Sequence, residues 1–146
     1  MSKKKGVKYS VFMVLAILGV VLSSLLLYYD YYPSDSIICN FGEGVSCEEV
    51  SRSDYSRIYN IPVAVFGILG YLVLFLLSLI LVKRYKIKHL PLLRVKTLIF
   101  YLTLVAFLFS LYLTYLELFV ILGICPICIF SLCIITVMLF IAWRMV

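Results

Sequence analysis

Two cysteine pairs carry the chemistry this sequence can do. Cys125-Pro126-Ile127-Cys128 sets two thiols three residues apart with a proline between them. That spacing suits a reversible disulfide, although metal sites also use it. An apolar run follows, so the motif opens a helix, where proline is favoured because its missing N–H would be unpaired anyway. Cys125 then falls near the N-cap and Cys128 within the first turn. Unpaired amides and the positive end of the helix dipole favour thiolate there, and the thiolate is the form that attacks a disulfide. The second pair is Cys39 and Cys47, with seven residues between them that include Asn40, Gly42 and Gly44. Such a stretch is flexible enough for the sulfurs to meet or for one to swing away. A mobile pair above a fixed one is what an electron relay needs, because exchange passes through a mixed disulfide. Two plainer readings stay open: a structural disulfide tethering the loop, and zinc held by four sulfurs. No soluble subdomain here needs such a metal, and none is expected. Cys133, five residues past Cys128, reads as a small apolar packing residue.

The elements that must position these cysteines are membrane helices. Of 146 residues, 65% are hydrophobic and 14% charged, against roughly half and about a quarter in soluble domains. Apolar runs at 9–29, 61–82, 97–116 and 118–143 each have the roughly 20 residues a helix needs to cross a bilayer. None alternates with the period of two that a membrane β-barrel requires. The expectation is an all-α integral membrane four-helix bundle, a single domain over 1–146 with spans at about 9–29, 61–82, 97–116 and 122–143. The lysine-rich start also fits a signal peptide, but the run past Ser23 and Ser24 into Leu25-Leu26-Leu27-Tyr28-Tyr29 is too long and shows no small-residue cleavage site. A retained helix is expected.

Charge orients the bundle. Eleven of the thirteen basic residues lie before span one, between spans two and three, or after span four. The bias of Lys and Arg toward cytoplasmic loops places both termini and the 83–96 loop inside. A net charge of +6 therefore needs no nucleic-acid partner, and His89 reads as a solvated loop residue. The 30–60 segment lies outside with Cys39 and Cys47, and the outer mouth of span four brings Cys125 to the same face. Disulfides persist on that side of a membrane.

Together these residues closely resemble the vitamin K epoxide reductase family, especially its prokaryotic members. The resemblance rests on Cys39 and Cys47, Ser53 six residues later, the stretch Asn60-Ile-Pro-Val-Ala-Val-Phe-Gly-Ile-Leu-Gly-Tyr71, and Cys125-Pro-Ile-Cys128. It implies a four-helix bundle around a quinone, capped by an outer loop with a short helix. Cys47 would exchange with Cys125, Cys125–Cys128 would reduce the quinone, and Ser53 would line its pocket. The animal enzymes have a tyrosine four residues after the second cysteine of the C-x-x-C, contacting the vitamin K head group, and no proline in that motif; this chain has Leu132 and Pro126. These departures favour the prokaryotic role, which implies a prokaryotic plasma membrane. Electrons would pass from a thioredoxin-fold thiol protein to a quinone of menaquinone or ubiquinone type, generating disulfides. Many prokaryotic relatives carry the thioredoxin-fold domain fused behind the bundle; this chain ends at Val146, so a separate protein is the expected partner, beside membrane lipid.

Further residues complete the expectation. Asn60 is a candidate N-cap of span two with Pro62 in the first turn. Gly67 and Gly70 would let a helix or a flat ring approach the backbone, and Phe66 is a candidate to stack on the quinone. Asp54, Tyr55 and Arg57 read as the polar face of a short interfacial helix, and Glu117 as an acid at the outer interface, a functional candidate if buried deeper. The competing function is a structural four-span protein whose outer loop is stapled by Cys39–Cys47.

Overall fold

A computed structural model describes residues 2–32, 40–42, 45–46, 54, 57–84 and 92–146. Helix α1 (Ser2–Tyr31) leads to two short hairpins, β1 (Asn40–Gly42) with β2 (Val45–Ser46) and β3 (Arg57–Ile58) with β4 (Ile61–Pro62). Helices α2 (Val63–Arg84) and α3 (Leu92–Leu116) follow, then a π-helical turn (Glu117–Ile121) and α4 (Pro126–Trp143). The four stretches apolar and long enough to cross a bilayer are Gly6–Tyr31, Val63–Lys83, Leu93–Ile121 and Pro126–Trp143. The protein is an all-α integral membrane four-helix bundle, as the hydropathy requires. The boundaries move, however. The third span runs on to Ile121 as a π turn, and the fourth starts at Pro126, not near 118 or 122, because Leu122 takes a left-handed backbone (φ 55°) that ends the helical path.

The helices close a ring: α1 packs along α2, α2 touches α3, α3 packs on α4, and α4 returns to α1, with the α2–α3 seam the thinnest. Phe12, Ala16, Tyr71, Leu74, Ile99, Ile135 and Met138 form the buried interior. Outward apolar side chains such as Val105 and Phe130, 63% and 64% exposed, are what a lipid-facing surface presents. Hydroxyls inside the spans bond to their own helices, Thr103 to the Ile99 carbonyl and Thr136 to that of Leu132, which satisfies these donors within hydrocarbon. The tight α1–α2 approach depends on glycine. A Cβ at Gly19 would run into the Tyr71 ring, and one at Gly67 would sit 2.9 Å from the Ser23 hydroxyl.

The entry to α2 differs from the sequence expectation. Tyr59 and Asn60 both have positive φ, 51° and 68°, the conformation a two-residue type I′ hairpin demands of its central pair. Asn60 is therefore the turn of the β3–β4 hairpin and not a helix cap, and Pro62 ends a strand before the helix begins at Val63. Arg57 likewise lies in a strand, not on an interfacial helix. Its guanidinium bonds to both carboxylate oxygens of buried Asp30, at 3.4 and 3.5 Å, which ties the hairpin to the end of α1. The short helix expected after Cys47 lies outside the described residues.

Candidate active site

The C-x-x-C sits where its sequence placed it. Cys125 is the N-cap of α4, with extended backbone (φ −100°, ψ 109°), and Pro126 occupies the first turn. The Ile129 N–H bonds to the Cys125 carbonyl at 3.2 Å, closing the first helical loop. Cys125 has no exposed surface, and the Cys128 side chain hydrogen-bonds to it. Around the pair, Ile127, Leu22, Leu26, Tyr29 and Ile121 form a small apolar cluster separate from the main interior. The two cysteines are thus held together at one end of the bundle, Cys125 fully buried and Cys128 half-buried.

Glu117 completes this constellation. The π turn widens the end of the third span, and the left-handed Leu122 then reverses the chain, so the N-terminus of α4 comes back over the Glu117 side chain. The carboxylate accepts a hydrogen bond from the Cys125 backbone N–H, an amide that the helix itself leaves without an acceptor. Glu117 is 2% exposed; the acid read at the outer interface is buried, and its carboxylate finds this internal donor. One carboxylate oxygen and the two sulfurs lie within 4.8 Å of one another. Among the described residues these three are a partial ligand set, one short of a structural zinc site.

Beside the pair, a cavity of about 410 Å³ lies between the four helices. Its wall includes Leu26 of α1, Phe66, Gly67 and Tyr71 of α2, and Cys128 and Ser131 of α4. The Tyr71 hydroxyl lies 2.9 Å from the Ser131 hydroxyl and donates to the Ser131 carbonyl at 3.2 Å, placing the polar groups of the wall one helical turn from Cys128. Leu69, Val73 and Val105 line the cavity while half-exposed on the outer surface, so it reaches the lipid side at the thin α2–α3 seam.

The family model described as vitamin K epoxide reductase matches residues 10–143, nearly the whole chain. The chain belongs to the vitamin K epoxide reductase family. No curated protein gives a significant match. Membership brings a membrane redox function of oxidoreductase type, linked to quinones in the family at large and to a redox partner, in a protein surrounded by lipid.

Of the residues singled out in the sequence of this family member, Cys125, Cys128, Phe66 and Gly67 converge on the cavity end of the bundle, with Phe66 and Gly67 in its wall. Leu132 is half-buried against the main interior and is not part of that wall. Cys39, Cys47 and Ser53 lie outside the described residues, but Asn40 and Ser46, the chain neighbours of Cys39 and Cys47, pair across the β1–β2 hairpin. Cys133 faces outward and is exposed, not packed inside, because it falls on the lipid side of α4. The sequence gives no sign of the pairing of the Tyr71 hydroxyl with Ser131 or of the Glu117–Cys125 contact. Ser131 had a signal, lying three residues past Cys128 on the same helix face.

Proposed function

We propose that this protein is a quinone-dependent, disulfide-forming oxidoreductase of the prokaryotic type. Electrons enter from a thioredoxin-fold thiol protein through Cys39 and Cys47 on the outer face, pass to Cys125 and Cys128, and leave to a quinone of menaquinone or ubiquinone type. The observation that carries this reading is that Cys128 borders an apolar cavity while Cys125, bonded to it, does not. One sulfur is presented to a membrane-soluble acceptor and the other is kept for exchange.

A quinone head group fits the residues present. The cavity volume lies in the usual range for a small-molecule site, about 300–1,000 Å³. Its wall is apolar apart from Cys128, a few hydroxyls and the backbone they bond, which suits a flat ring with polar edges, and its opening toward lipid suits an apolar tail. A bound quinone supplies an acceptor for two electrons and two protons. The chain's own residues do the rest. Cys128, held in the first turn of α4, faces the cavity. Phe66 and Gly67 offer a flat wall, and the Tyr71–Ser131 pair offers hydroxyls for a carbonyl edge. Cys125, with no exposed surface, is kept from solvent by the packing around it. Ser53 stands as a further pocket candidate from the family resemblance.

The test is turnover. Purified protein in lipid, given a reduced thioredoxin-fold donor and a quinone, should form one quinol for each donor disulfide. Donor oxidation without quinol, or quinol without donor oxidation, would refute the coupling.

A further inference from the structure

Glu117 is a buried acid that the relay described above does not use. Among the described residues its carboxylate accepts from the Cys125 N–H, and Arg57 of the outer hairpin is engaged with Asp30 at the end of α1. A carboxylate is costly to bury without a cation. A chain that needed only an acceptor for one amide could place a neutral side chain here. What a carboxylate adds is the capacity to take and return a proton. The geometry matches that capacity to one sulfur. Cys128 borders the cavity, so its proton has a direct path to an acceptor there; Cys125 has no exposed surface and does not border the cavity. The Cys125 proton needs a carrier within the protein. The carboxylate oxygen lies within 4.8 Å of both sulfurs, within reach after a small side-chain rotation or through one water.

We propose that Glu117 carries the proton of Cys125 through the redox cycle. When the pair closes, the two S–H bonds break, one S–S bond forms, and two electrons leave. The Glu117 carboxylate takes the Cys125 proton and becomes the acid. The quinone receives the Cys128 proton and one proton from water, so two thiols, one carboxylate, one quinone and one proton give a disulfide, a carboxylic acid and a quinol. When two outer thiolates reopen the pair by exchange, the Glu117 acid returns its proton to Cys125 as that sulfur leaves, and Cys128 takes one from water. The hydrogen bond from the Cys125 N–H holds the carboxyl beside its sulfur in both halves of the cycle.

This inference rests on the Cys125–Cys128 pair being redox-active, and its test needs no quinone. Wild-type protein in lipid vesicles, first reduced, is closed with glutathione disulfide in weakly buffered medium. Oxidising two thiols with glutathione disulfide is proton-neutral by itself, so the Glu117 step makes each chain take up one proton. E117Q, which keeps an oxygen to accept the Cys125 N–H, should take up none and should close about tenfold or more slowly. Infrared difference spectra of the same samples should show a protonated carboxyl appearing on oxidation in wild type and missing in E117Q. Wild type closing its disulfide with no proton uptake overturns the proposal, and so does a carboxyl signal identical in E117Q. If the quinone reading alone is at fault, proton uptake and the carboxyl signal persist while no quinol forms.

Discussion

The carboxylate of Glu117 accepts a hydrogen bond from the backbone N–H of Cys125, so the last turn of the third span fixes the first residue of the fourth helix. The link is local in sequence yet sets how the redox pair sits, because the amide it holds is the N-cap of α4. Replacing Glu117 with Ala removes the acceptor from a fully buried amide, which costs about 1–3 kcal/mol. Glu117→Gln keeps an acceptor and should cost less. Thermal unfolding of the two variants in one detergent checks the order, with Ala below Gln below wild type; Ala equal to wild type would mean the bond does not hold the α4 entry.

The two glycines around Tyr71 should behave oppositely. At Gly19 an added side chain meets the Tyr71 ring, so Gly19→Leu should overpack the α1–α2 contact by about 1–3 kcal/mol or more. At Gly70 an added Cβ has nothing within 4 Å, and the residue lines the cavity. Gly70→Ala should therefore leave the thermal midpoint level or raised, since Ala is the better helix former, while weakening quinone binding because its methyl enters the cavity. A stability loss at Gly70 and none at Gly19 would reverse the packing drawn here.

Loss of Cys39 or Cys47 should be conditional on the donor. A small membrane-permeant dithiol can reach Cys125–Cys128 directly and bypass the loop, whereas a protein donor cannot. Quinol formation by Cys47→Ala should be near wild type with the dithiol and lost with the protein. Equal loss with both donors would contradict the relay.

How far the site could be read in the sequence follows from which residues carry their own signal. Cys125-Pro126-Ile127-Cys128 announces both a helix start and a redox pair within four residues, and four long apolar runs leave few alternatives to a bundle. The ring order of the helices and the cavity among them depend on side-chain fit between spans, such as Gly19 against Tyr71, which no single helix reveals. Asn60 misled because asparagine serves equally as a helix cap and as a left-handed turn residue; only the pairing of Arg57–Ile58 with Ile61–Pro62 decides between them. Glu117 sits in an apolar run where a carboxylate is ambiguous, and its role became visible only once a π turn and the left-handed Leu122 brought it under Cys125.

Removing Cys39 should strand an intermediate. Cys47 is the loop cysteine expected to exchange with Cys125, and Cys39 the thiol that resolves the mixed disulfide from the loop side. The Cys39→Ala protein should accumulate a Cys47–Cys125 disulfide, seen by mass mapping after non-reducing digestion. Cys47 recovered as a thiol, or bonded elsewhere, would overturn the assigned order.

The central claim is that the Cys125–Cys128 pair hands its electrons to a quinone in the cavity beside it, and a single turnover tests it with no donor present. Protein carrying the Cys39→Ala and Cys47→Ala substitutions is reduced, freed of reductant and mixed with one equivalent of quinone. One quinol per chain should appear, together with a Cys125–Cys128 disulfide in the mass map, and adding Cys128→Ala should abolish both. Quinol formed by the Cys128→Ala protein, or formed with the two thiols still reduced, would contradict the account.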